Sequence, residues 1–216
     1  MSADPQLARL RRALAPPSDP PTPLAGPRPE APPRPAAVLV LLYPVDGQPR
    51  FVLERRPVDL PDHAGQISLP GGGVRADDGS FLGAAQRETY EELGVAPDEY
   101  VVWGRLEPVA IQVSNFVVVP FVAYAPRRPA FQPDPREVAE VLEIPLAALV
   151  DPRARAEEIW QVRGSARRVA FYRHGEHKIW GATARVLVQI SRVLRDLPDP
   201  EGALDPGEVL PWPQDS

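Results

Sequence analysis

GGGVRADDGSFLGAAQRETYEELGV, residues 71–95, is the stretch whose reading decides the rest. Three glycines open it, and no proline lies between Ser80 and Gly94. Ser80 suits a helix N-cap and Gly94 a helix stop, so the spacing predicts a helix over 81–94. At about 100° per residue, Glu88, Glu91 and Glu92 share roughly 100° of that helix's surface. Leu82, Ala85, Thr89 and Leu93 form the neighbouring stripe expected to be buried. Glu88 and Glu92 are a like-charge pair four residues apart, which alone is mildly destabilising. A divalent cation among the oxygens reverses that, and an all-oxygen donor set suits Mg²⁺ or Mn²⁺. Three glutamates on an arbitrary helix more often make a solvated acidic face. Pro70-Gly71-Gly72-Gly73 shifts the balance, because glycine lets backbone approach a metal or a phosphate closely.

Around this helix the chain reads as strands. AAVLVLLY (36–43) is continuously apolar, as a strand buried on both faces is. Asp46-Gly47 marks a turn to RFVLERR (50–56), and QISLPGGG (66–73) reads as a short strand entering the glycines. VVWGRL (101–106) and FVVVPFVAY (116–124) follow, with Pro120 suggesting an edge or a bulge. EVAEVLEIPL (137–146) fits helix or strand. IWQVRG (159–164) and RVAFYR (168–173) form a further strand pair, and His174 and His177 flank its expected hairpin tip. ATARVLVQISRVLRDL (182–197) is a second helix with Val186, Ile190, Val193 and Leu197 along one side. Strands mixed with two well-separated helices predict sheet sandwiched between helices.

Composition bounds the ends. The chain has 216 residues and 30 prolines, 11 of them in residues 1–36 and 5 in residues 198–216. Both ends therefore read as arms around a core over 36–197, the first proline-rich (1–35) and the last an acidic tail (198–216). Leu7, Leu10 and Leu14 allow a short amphipathic helix over 5–14. There is no cysteine, which excludes disulfides, a thiolate nucleophile and Cys-ligated metal. No apolar run is long enough for a membrane helix, and no signal region opens the chain, so a cytoplasmic setting is expected. A net charge of −5 carries no nucleic-acid footprint.

Residues 87–95, RETYEELGV, resemble the second half of the Nudix box, G-x5-E-x7-R-E-U-x-E-E-x-G-U, with U a bulky apolar residue. Thr89 replaces the first U. Counting back from Arg87 puts Gly79 at the first glutamate; counting forward from Gly72 puts Asp78 there with one extra loop residue, and the second register is preferred. The resemblance implies an α/β (α+β) fold, a Nudix-type α/β/α sandwich with a mixed sheet, and Mg²⁺- or Mn²⁺-dependent hydrolysis of a nucleoside diphosphate linkage. It implies Glu88, Glu92, Glu91 and the Gly71 carbonyl as metal ligands, with Arg87 orienting carboxylates. For the general base it leaves Glu140 and Glu137 ahead of Glu143, with Glu91 as the alternative.

Upstream, VLERRPVDLPDHAGQISLPGG (52–72) resembles the motif L-L-T-x-R-S-x3-R-x3-G-x3-F-P-G-G of coenzyme A pyrophosphatases. Leu53, Arg56, Gly65, Pro70, Gly71 and Gly72 match. Val52, Glu54, Pro57 and Leu69 replace Leu, Thr, Ser and Phe, and Pro61 replaces the second arginine. Arg55 or Arg75 is the base available in its stead. Downstream, IWGATA (179–184) resembles the I-W-G-x-T-A of the same group. The resemblance implies coenzyme A as substrate, with Arg56, Gly65 and Gly72 at the binding site. Trp180 reads as core more readily than as an adenine stack, and His63 as structural. A broader Nudix pyrophosphatase acting on ADP-ribose, dinucleotides or nucleoside triphosphates is the alternative. A non-hydrolytic nucleotide-binding module would be expected to lose the box acids that this chain keeps. A homo-oligomer is compatible with the sequence.

Overall fold

The computed structural model describes residues 4–20, 26, 30–59, 64–111, 114–162 and 165–195. Pro61, His63, Leu197 and the acidic tail lie outside the described residues.

Strand β1 (Arg34–Val45) is the spine of the main sheet. Its apolar run is buried on both faces, as its composition requires. The Asp46-Gly47 turn, with both residues at positive φ, returns the chain into β2 (Gln48–Arg55). β1 and β2 pair only over residues 42–45 and 48–51. Beyond that they part, and the segment 67–73 fills the gap. Its first piece, β3 (Ile67–Ser68), pairs with β2; its second, β4 (Gly71–Gly73), pairs with β1. The strand expected over 66–73 is therefore two pieces, broken at Leu69-Pro70. This break delivers the glycines to the end of helix α2 (Phe81–Leu93).

β5 (Val101–Arg105), β6 (Val109–Ile111) and β7 (Phe116–Tyr124) complete the other half of the sheet. β7 runs parallel to β1 along its whole length, and the other pairings in this sheet are antiparallel, so the sheet is mixed. Pro120 is not at an edge or in a bulge; it sits in interior β7. β6 pairs with β7 up to Val118 and β5 from Phe121, so Pro120 lies at the gap between them. Its carbonyl accepts from Leu106 N–H at 2.9 Å on that side. A residue's donor and acceptor leave a strand together, so the missing N–H faces the same gap and breaks no ladder bond.

Residues 140–145 are strand β8 (Glu140–Pro145), on the outer edge of β2. A second, three-stranded sheet holds β9 (Arg155–Val162), β10 (Ser165–His174) and β11 (His177–Ile179), with Gly175 in the left-handed conformation at the expected hairpin tip. Helix α3 (Gly181–Leu194) begins directly after Trp180 and buries Val186, Leu187 and Ile190.

Two apolar clusters flank the main sheet. One packs α2 through Ala84, Ala85 and Leu93 against Leu39, Leu41, Val52 and Phe121. The other packs α3 against Leu42, Phe51, Leu53 and Leu142. The layers are helix, sheet, helix, as expected. The N-terminal segment departs from the expectation of an unpacked arm. Helix α1 (Pro5–Ala13) is capped by Asp4, and its Leu7 and Leu10 lie fully inside the α3-side core. Among the described residues no helix is long and apolar enough to cross a membrane.

Candidate active site

Helix α2 starts and stops where its sequence says. Ser80 Oγ accepts from Gly83 N–H at 2.9 Å, and Gly94, at φ 70°, donates its N–H to Tyr90. Thr89, in place of a bulky apolar residue, is buried and donates its hydroxyl to the Ala85 carbonyl at 2.7 Å. Glu88 and Glu92 belong to the buried stripe, whereas the Glu91 side chain is 41% exposed.

Two glycines set the distance between this helix and β4. Gly71 donates its N–H to Glu92 Oε2 at 2.8 Å. It has φ 146°, and a Cβ there would stand 2.3 Å from the Ala37 carbonyl oxygen. At Gly72 a Cβ would stand 2.6 Å from Glu88 Oε1. Gly71→Ala is expected to cost on the order of 2–4 kcal/mol, since it adds backbone strain and overpacking. Urea melts of the two proteins would measure it.

Arg87 is the organiser of the polar rim. Its Nε and Nη2 fork onto Asp78 at 2.6 and 3.0 Å, and Nη2 also donates to the Gly73 carbonyl at 3.3 Å. Nη1 stands between Glu88 Oε1 at 2.7 Å and Glu91 Oε2 at 3.0 Å. The bidentate pair with Asp78, and then Glu88 and Glu91, hold the guanidinium firmly charged. The same pair keeps the Asp78 carboxyl below its usual range. The register that puts an acid at Asp78 is thus the one with a side chain at work. Gly79 only makes a left-handed turn. Arg75 also reaches Glu91, at 3.4 Å.

Beneath the rim lies a carboxylate the sequence reading passed over. Glu54, on β2, is 1% exposed, as is Glu92. Val52 and Glu54 share the α2 face of the sheet by strand alternation. Glu54 Oε1 accepts from Ser68 Oγ at 3.3 Å, and Oε2 has no hydrogen-bond partner. Burial raises the Glu92 carboxyl far above its ordinary range, and Glu54, Glu88 and Glu137 add to this against the Gly71 N–H. Burial likewise raises Glu54, opposed by Ser68 and Arg56. Glu137, on the loop before β8, is brought to this cluster.

Glu140 is not. It faces Arg55, Leu53 and Leu142 on the α3 side of the sheet, where Arg55 Nε binds it at 2.8 Å and His177 lies 3.5 Å away. Arg55 foremost, aided by His177, keeps its carboxyl below the usual range, so it is a fixed anion remote from the box. The ambiguity of 137–146 hid this, because only the pairing with β2 decides which acids face α2. Glu143 is likewise engaged, gripped by Arg128 through two 2.8 Å bonds.

Across β4 from these acids is a cavity of about 350 Å³. Arg56, Ser68 and the glycines 71–73 form its wall nearest the box; Phe116, Trp180 and Thr183 line the remainder with mostly apolar neighbours. Thr183 ties α3 to β3 by donating to the Ile67 carbonyl at 3.2 Å. Arg56 Nε is buried without a hydrogen-bond partner. Trp180 packs edge-on against Trp160 and lines the cavity, so it is a wall rather than core alone. Gly65, at φ 66°, closes the β2–β3 connection by donating to the Pro57 carbonyl and does not line the cavity.

The donor set around Glu88 and Glu92 is all oxygen, holds an unpartnered buried Glu54 oxygen, and has a Gly72 cradle that a Cβ would fill. It fits a divalent cation of the hard class. Among the described residues no three His, Cys, Asp or Glu side chains are yet gathered as a cage, and Arg87 supplies the counter-charge at Glu88 and Glu91.

Comparison with known proteins shows the family to which the chain belongs. The NUDIX domain family matches residues 33–163. The chain belongs to the NUDIX family. It is similar to the uncharacterized Nudix hydrolase NudL of Photorhabdus laumondii, 33% identical over 159 residues, covering 74% of this chain and 84% of that one. NudL of Salmonella paratyphi B is 37% identical over 145 residues, covering 67% and 74%. The fold of this chain is similar to that of a MutT/nudix family protein from Enterococcus faecalis, with TM-score 0.50 and 17% identity over 76% of this chain and 61% of that one. As a Nudix hydrolase the chain has pyrophosphohydrolase activity, a reaction class whose members typically work with divalent metal.

Proposed function

We propose that this Nudix hydrolase cleaves the pyrophosphate bond of coenzyme A, giving 3′,5′-ADP and 4′-phosphopantetheine. One observation carries the reading. The two stretches that resemble coenzyme A pyrophosphatases, 52–72 leading into the box and 179–184 far beyond it, line the same cavity. They enter it through Arg56, Gly71 and Gly72 on one side and Trp180, Ala182 and Thr183 on the other. A largely apolar cavity with a single guanidinium suits a ligand with a weakly polar arm and phosphates at one end.

In this reading Glu88, Glu92, Glu91 and the Gly71 carbonyl hold Mg²⁺ or Mn²⁺. The cation, when bound, supplies Lewis-acid polarisation of the pyrophosphate. Arg56 takes a phosphate oxygen with its unpartnered Nε–H. Gly71 and Gly72 let the phosphates approach the backbone. Arg87 fixes Glu88 and Glu91. Glu137, on the box side of the sheet, accepts the proton of the attacking water; Glu140 and Gly65 have no direct part.

The test is product analysis with Mg²⁺ across coenzyme A, ADP-ribose, dinucleoside polyphosphates and nucleoside triphosphates. Coenzyme A is expected to give the highest kcat/KM. A higher value for ADP-ribose or a dinucleotide would overturn the assignment. Arg56→Ala is expected to raise KM for coenzyme A about 10–100-fold, the loss of a charge-assisted phosphate contact. An unchanged KM in steady-state assays would remove Arg56 from the site.

A further inference from the structure

Glu54 has no counterpart in the family's box, and in the motif that 52–72 resembles its place is a threonine. It extends a strand face that otherwise reads Val52, packed in the α2-side core. A valine there would need no partner, and a threonine only a neutral hydrogen bond. A carboxylate 1% exposed needs one, because burying an unpaired charge is costly. One of its oxygens has Ser68; the other, Oε2, has no hydrogen-bond partner. Glu92 is equally buried beside it, and Glu137 adds negative charge to its surroundings. Arg56, the cation whose charge opposes this field, lines the cavity and leaves Oε2 unpartnered.

We propose that Glu54 is an additional oxygen ligand for the divalent cation, on the sheet side of the site and opposite the helix carboxylates. The inference rests on the reading of Glu88 and Glu92 as metal ligands. It adds that the sheet contributes a charged ligand of its own at a position where the resembling motif has a neutral hydroxyl. The donor is a hard carboxylate, so the cation class is Mg²⁺ or Mn²⁺. The extra negative charge raises affinity and makes the site charge-balanced only when loaded. In the metal-free protein it opposes folding instead.

The test uses the full chain without substrate. Mn²⁺ is titrated into metal-free protein and free Mn²⁺ is followed by electron paramagnetic resonance, for the wild type, Glu54→Gln, Glu54→Thr and Glu92→Gln. Glu54→Gln and Glu54→Thr are expected to weaken Mn²⁺ binding at least tenfold or to lose one equivalent. Both should melt, metal-free, at or above the wild-type temperature, with a smaller rise on adding Mn²⁺. Threonine is the residue of the resembling motif, so one variant at least is expected to fold. If Glu92→Gln weakens binding but both Glu54 variants bind as the wild type does, Glu54 and Glu92 share only a proton and the proposal is overturned. If the wild type binds no Mn²⁺, the metal reading of the box falls with it. Neither result bears on which nucleotide is cleaved, which the product panel decides separately.

Discussion

Glu92→Gln is expected to lower turnover by two or more orders of magnitude with Mg²⁺ present. The substitution keeps size and removes one charge from the centre of the cluster. The cation supplies several kcal/mol of transition-state stabilisation, and each ~1.4 kcal/mol is about tenfold in rate. Fold is not the casualty. Burial, with Glu54, Glu88 and Glu137 around it, makes Glu92 hold its proton far above the ordinary carboxylate range when no metal is bound. Glutamine imitates that neutral state and can still accept from the Gly71 N–H. The pH dependence follows. The folded chain binds a proton that the unfolded chain releases near 4.5, so this stabilisation is complete below 4.5 and is lost as pH rises toward the folded value. Metal-free wild type is therefore expected to melt lower at pH 8 than at pH 5 on account of this cluster, and Glu92→Gln to show a shallower slope. Glu54, Glu88, Glu137 and the Gly71 N–H act on the group, Ser68 and Arg56 act on Glu54, and Glu54 titrates in the same direction. Product assays over a Mg²⁺ series, with melts over pH, measure both. Near-normal turnover in the variant would remove Glu92 from the reaction.

What the sequence disclosed about this site was local. Ser80, Gly94 and the spacing of Glu88 and Glu92 define one helix and its caps, and the structure places them accordingly. What it concealed depends on pairing between distant segments. FVLERR alternates, so Val52, Glu54 and Arg56 share one face and Phe51, Leu53 and Arg55 the other. Nothing within the strand says which face meets α2. That is settled by β3, 14 residues on from Glu54, and by β8, 85 residues from Arg55. In sequence Glu54 therefore stands only as a replaced threonine, and Glu140 beside Glu137, although Glu140 pairs with Arg55 on the α3 side of the sheet. One signal was available for Glu54: a lone acid on the Val52 face of a strand rich in apolar residues is out of place unless something binds it.

Composition misled in another way at the N-terminus, and the second large effect lies there. Leu10→Ala is expected to destabilise the full chain by about 2–5 kcal/mol, the range for truncating a buried leucine. Prolines in residues 1–36 suggest an arm outside the core. Leu10 is nevertheless fully buried and Leu7 3% exposed, both in the cluster that packs α3. The segment then crosses the edge of β5. Ala15 and Arg105 exchange two backbone hydrogen bonds, at 2.9 and 3.1 Å, and Gly104 is required because a Cβ would stand 2.3 Å from the Ala15 carbonyl oxygen. Arg11 lies over the Trp103 ring, and Arg105 Nε donates to the Ser18 carbonyl. It ends at the box helix, where Asp19 Oδ1 accepts from Phe81 N–H at 3.0 Å, one of the donors a helix start leaves unsatisfied. The segment thus covers an open strand edge and ties α3 to α2, and nearly all of it precedes the region matched by the NUDIX family. Deleting residues 1–19 should cost at least as much as Leu10→Ala, because it removes both leucines, the edge pairing and the Asp19 contact together. Urea unfolding would show a lower midpoint, with an unchanged slope for the point variant if it alters stability alone. A Leu10→Ala midpoint equal to that of the wild type would mean that α1 contributes no net stability. The sandwich would then stand on α2, α3 and the sheets alone.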